Sequence, residues 1–198
     1  MMKKFVNILI SCIFVTVIAG CASSAPTRFY TLSSTLAPAA MPQANYSVSV
    51  GPVSVPAVVD RPQIVVRTGP NKVFISEFDR WASPLKDDIA RVIVENLVSM
   101  LGTAQVTLFP QSTAAGVSYR VMIDVLRFDS EPGKTATLDA LWTVSSAKEG
   151  RSHRGRTTLT EPTQGVDYAA LVAAHSRAIG QLSAEIAKTI REFEAQKP

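Results

Sequence analysis

Residues 72–102 read KVFISEFDRWASPLKDDIARVIVENLVSMLG, and the change of pattern inside this stretch decides the fold. Lys72 to Phe78 is rich in β-formers, and a strand is expected there. From Leu85 onward the apolar residues Leu85, Ile89, Val92, Ile93, Leu97 and Leu101 recur at helical spacing, which puts them on one face of a helix. Ser83 is expected to cap that helix, with Pro84 at its first position. Asp87 and Asp88 suit the positive end of the helix dipole, and Gly102 ends the run. The apolar stripe reads as core rather than as a binding groove.

Working outward, Ile64 to Arg67 is a strand joined to 72–78 around Thr68-Gly69-Pro70-Asn71, a hairpin signal. Tyr46 to Val50 alternates apolar and polar residues. Gly51-Pro52 interrupts it, Val53 to Val55 resumes it, and Asp60-Arg61-Pro62 is a turn. Downstream, strands are expected over 105–109, 118–128, 135–145 and 152–159. Glu131-Pro132-Gly133-Lys134 and Lys148-Glu149-Gly150 form turns between them. Short connections imply antiparallel neighbours. Asp167 opens a last helix from Tyr168 to about Glu194 whose buried face includes Leu171, His175, Ile179, Leu182, Ile186 and Ile190. The expected fold class is α+β: a largely antiparallel sheet with two main helices packed on one face, forming a single domain over 46–198.

The start of the chain reads differently. Lys3-Lys4 precedes an uncharged apolar run, Phe5 to Ile18, and then Ile18-Ala19-Gly20-Cys21. A run of this length suits a secretion signal and falls short of the ~20 residues of a spanning helix. An aliphatic residue, two small residues and a cysteine form a lipobox. Residues 1–20 are therefore expected to be a signal peptide and Cys21 the site of lipidation. Residues 21–45, rich in Ala, Pro and Ser, read as a lipidated tether and linker with a short strand at 28–32. Cys12 leaves with the signal, so the exported domain has no disulfide.

Composition narrows the function. The formal net charge is +4 and falls to +2 once Lys3 and Lys4 leave. With no basic stripe, nucleic acid is not an expected partner. His153 and His175 stand alone without a thiol, which predicts no metal site. There is no G-x-S-x-G motif. Gly133-Lys134-Thr135 lacks the leading glycine of a phosphate loop, since position 128 is Phe128. The domain is expected to be no enzyme and to need no cofactor. Two polar clusters remain, Asp60-Arg61-Pro62 and Arg80-Trp81. One reading makes them fold determinants, with Trp81 stapling the helix start to the sheet. The other makes Asp60, Arg61, Arg80 and Trp81 a partner-binding surface, because Arg and Trp are enriched at interface hot spots.

Several segments resemble one family. Phe29-Tyr30-Thr31-Leu32 is similar to its opening strand, and Val50-Gly51-Pro52-Val53-Ser54-Val55-Pro56 with Val59 to Val65 to its most distinctive stretch. Arg80-Trp81-Ala82-Ser83-Pro84-Leu85 resembles its R-W-A-x-P-L segment. These residues identify the chain as resembling the PqiC-like (YmbA-like) lipoproteins, ABC-type transport auxiliary components. Ser83 departs from relatives that carry an acidic residue there. The resemblance implies an outer-membrane lipoprotein, anchored through Cys21 and facing the periplasm. It would work with an MCE-domain protein and its inner-membrane transporter in lipid transport. A homo-oligomeric ring is one assembly open to such a chain. A lipid carrier with its own pocket and a scaffold without a transport role are the competing readings.

Overall fold

The structure, a computed structural model, describes residues 25–36, 44–110 and 116–196. The signal segment, Cys21 and the middle of the linker lie outside the described residues. Strand β1 spans Arg28–Tyr30, β2 Val48–Ser54, β3 Gln63–Gly69 and β4 Lys72–Trp81. Helix α1 covers Leu85–Leu101. Then come β5 (Val106–Leu108), β6 (Tyr119–Glu131), β7 (Thr135–Ser146), β8 (Ser152–Pro162) and helix α2 (Tyr168–Ala195). The α+β class and the order of elements match the expectation.

The strands form two sheets, β1-β4-β3 and β5-β2-β6-β7-β8. The hairpins β3–β4, β6–β7 and β7–β8 are antiparallel, as their short turns dictate. Strand β2 runs parallel to both of its neighbours, β5 and β6. Both reach it through long connections, so no turn signal announced the pairing. The interruption at Gly51-Pro52 is a register shift within one strand, between Val50 and Val53. Gly51 sits there at φ +118°, a backbone angle that side-chain-bearing residues rarely adopt.

Both helices pack on one face of the five-stranded sheet and on each other. Along β6, Tyr119, Val121, Ile123 and Val125 are buried, while Arg120, Met122, Asp124 and Leu126 are exposed. That alternation defines an inner and an outer face. The inner face meets Ile89, Ile93 and Leu97 of α1 and Ile179, Leu182 and Ile186 of α2, all wholly buried. Gly102 ends α1 in the left-handed conformation, its N–H bonded to the carbonyl of Val98. Asp167 caps α2 by accepting from the Ala170 N–H at 2.7 Å.

The start of α1 corrects the expectation. Pro84 itself occupies the capping position with ψ 128°, and no side chain, Ser83 included, caps the first turn. Its carbonyl accepts from the N–H groups of Asp87 and Asp88. Asp88 is buried and does more than face the helix dipole. Its carboxylate accepts from the Leu32 N–H at 2.7 Å, while Arg91 donates to the Leu32 carbonyl at 2.6 Å. Both polar groups of the peptide at Leu32 are thus satisfied by one helix. Ser33 N–H donates to Ser176 Oγ, and Ser34 Oγ donates to Asn96. The residues after β1 therefore lie across α1 and α2, with Leu32 in the core.

Candidate partner-binding hollow

Asp60, Arg61 and Pro62 lie on the turn between β2 and β3. Arg80 and Trp81 end β4, and Ala82 to Pro84 lead into α1. Main-chain bonds join these pieces: Trp81 N–H donates to the Pro62 carbonyl at 2.7 Å, and Ala82 N–H to the Tyr30 carbonyl at 2.8 Å. The turn itself closes on the Pro56 carbonyl, which accepts from Val59 and Asp60. A hollow of about 460 Å³ results, lined by Asp60, Arg61, Pro62, Trp81, Ala82, Ser83, Pro84 and Lys86. Three of the four residues singled out from sequence, Asp60, Arg61 and Trp81, line it together. Arg80 does not, and its guanidinium turns back to donate to the Glu77 carbonyl at 3.2 Å.

The side chains in the hollow differ in role. Trp81 is 5% exposed and packs edge-on against Phe128, ring centroids 6.2 Å apart. Phe128 in turn stacks on His175 of α2 at 3.7 Å. Trp81 therefore ties the helix start to the sheet and leaves only a rim to the hollow. Asp60 pairs with Lys86 at 3.5 Å, an ion pair exposed on both sides and of small energetic weight. Arg61 is half-buried, and its Nε is buried without a hydrogen-bond partner among the described residues. A buried donor of that kind is costly until something accepts from it. The sequence missed Lys86, which reads on a helical wheel as a solvated residue of the first turn.

A second cluster sits behind this wall. Asp79, 3% exposed, accepts from Arg28 Nε and Nη2 at 2.8 and 3.0 Å, from Tyr30 Oη at 2.9 Å and from Ser76 Oγ at 2.8 Å. Burial pushes its carboxyl up, but hydrogen bonds from Arg28, Ser76 and Tyr30 outweigh that and hold it below its ordinary value. This knot fixes β1 to β4. No sequence spacing links Arg28 to Asp79, so reading along the chain could not assemble it. Among the described residues no group of three or more His, Cys, Asp or Glu side chains is placed to hold a metal, and no helix is long and apolar enough to cross a membrane.

Residues 30–187 match the model of a family described as ABC-type transport auxiliary lipoprotein component. No curated protein gives a significant match. Among solved structures, a Xanthomonas campestris protein of the DUF330 family is similar, with a TM-score of 0.69 at 23% identity. It covers 86% of this chain and 100% of its own. An uncharacterized protein of known crystal structure gives a TM-score of 0.69 at 22% identity, covering 84% and 99%. At these identities the likeness establishes the fold.

Proposed function

Since the chain belongs to the family of ABC-type transport auxiliary lipoprotein components, we propose that it is the outer-membrane docking subunit of an MCE-type lipid transport system. In this reading Cys21 carries acyl chains and the domain faces the periplasm. It contributes no catalysis and engages an MCE-domain protein through the hollow between Asp60 and Lys86. The family match carries the proposal, and the hollow supports it. Pro62, Trp81 and Pro84 give the hollow an apolar wall, and Arg61 and Lys86 give it cations. That is the make-up of an interface hot spot. The lipid-carrier reading is less well supported, because the centre of the layer between helices and sheet is filled by wholly buried Ile89, Ile93, Leu97, Ile179, Leu182 and Ile186, and the hollow of about 600 Å³ beside α1 and β2 carries Lys86 and Asp87 in its lining.

The test is transfer of labelled phospholipid between inner and outer membranes in cells lacking this chain. Transfer falls on deletion, returns with the wild-type chain and stays low with Cys21→Ala, which removes the anchor. Unchanged transfer on deletion favours a scaffold. Full rescue by Cys21→Ala removes the anchoring part of the reading.

A further inference from the structure

The β3–β4 hairpin carries more exposed apolar surface than its place in the fold explains. Phe74 is 54% exposed, Val73 43% and Ile75 41%, and Phe29 on the adjoining strand is 65% exposed. Strand β1 covers β4 only over Asp79 to Trp81. The stretch from Lys72 to Phe78 is thus an open sheet edge with consecutive apolar residues, which proteins ordinarily blunt or cover. From Gln63 to Ser76 the hairpin holds Arg67 and Lys72 and no acidic residue.

Topology says what covers it. Strand β1 runs parallel to β4, with Phe29 beside Arg80, so the chain enters β1 from the side on which the hairpin tip lies. Arg80 is also the partner of Gln63, and six residues of β3 lead from Gln63 to the tip at Gly69. At ~3.3 Å per residue that is roughly 20 Å. Arg28 lies seven positions after Cys21, which gives the tether a reach of about 23–25 Å. The anchor and the hairpin tip therefore fall within reach of one plane.

We propose that the β3–β4 hairpin is a membrane contact, its Val73, Phe74 and Ile75 seated in the lipid interface beside the acylated Cys21. Lys72, exposed at the tip, meets anionic headgroups while its stem lies along the apolar layer; Arg67 stays paired with Asp129 at 3.1 Å. The inference rests on the anchoring reading. It adds an orientation: β1 and the hairpin face the membrane.

The test uses the full lipidated protein in vesicles of phosphatidylethanolamine and phosphatidylglycerol. An environment-sensitive fluorophore is placed on Phe74→Cys, or on Ile75→Cys should the first variant fold poorly. The control is Met122→Cys, exposed on the outer face of β6. Intact mass first reports the acyl chains on Cys21; without them the anchoring reading falls and this inference with it. With them in place, a nitroxide carried on lipid quenches the hairpin label several-fold more than the control label. Equal quenching at the two positions overturns the inference alone. So does a hairpin label shielded from aqueous quencher yet out of reach of the lipid nitroxide, which means that a second copy or another protein covers the edge.

Discussion

Replacing His175 by Phe separates a packing role from a titrating one. The imidazole is 1% exposed and stacks flat on Phe128, with Nε2 2.8 Å from Ser130 Oγ and Nδ1 buried without a partner among the described residues. Burial lowers its pKa from 6.5 to about 3, an effect that attraction from Asp129 only partly opposes. The folded protein thus refuses a proton that the unfolded chain accepts. Its contribution to stability is complete above the unfolded value of 6.5 and is lost progressively as pH falls from there towards about 3. At about pH 5, ~1.5 pH units below the unfolded value, protonation of this one imidazole favours the unfolded chain by about 2 kcal/mol at ~1.36 kcal/mol per pH unit. His175→Phe keeps the ring stack and removes the titration, while leaving Ser130 unpaired costs about 1–2 kcal/mol at either pH. Asp79, Asp129 and Asp139 are held below their ordinary 3.8 and weigh in only as pH approaches that value. Urea unfolding of both proteins at about pH 7.5 and 5 is the assay, with the wild type losing about 2 kcal/mol more than the variant on acidification. Equal losses refute the reasoning.

Two further perturbations address features of the fold. Leu32→Ala removes a side chain that is 1% exposed although it borders the linker; a loss of about 2–4 kcal/mol in denaturant unfolding is expected, and a near-zero loss would put residues 31–34 outside the cooperative unit. Gly155→Ala on β8 would drive a Cβ into the Trp142 ring, which is held by its N–H bond to Thr157. A cost of about 1–3 kcal/mol and a changed near-ultraviolet Trp signal are expected, whereas unchanged stability would contradict the packing described.

Local signals carried most of the fold. The stripe from Leu85 to Leu101 and that from Leu171 to Ile190 are the buried faces of α1 and α2, because one period repeated over several turns leaves little choice of face. The burial of His175 was legible for the same reason, and the hairpin at Thr68–Asn71 from its turn residues. The parallel pairing of β2 was not, since long connections and no turn bring β5 and β6 beside it. Asp87 and Asp88 looked alike in sequence, yet Asp88 is buried against the Leu32 peptide and Asp87 is exposed. Only the path of residues 31–34 across the helices makes that difference. At the hollow, adjacency in sequence grouped Arg80 with Trp81. Neighbours in a strand point to opposite faces, so Trp81 lines the wall and Arg80 does not. Lys86 enters only through the turn that brings Asp60 to it.

The docking claim is met most directly by placing a photoreactive benzoylphenylalanine at position 83, exposed in the lining of the hollow, in growing cells that express the lipidated chain. Irradiation is expected to yield an adduct with the MCE-domain protein, identified by mass, that is absent when the same group replaces Met122 on the outer face of the sheet. No such adduct from position 83, or equal adducts from both positions, would contradict it.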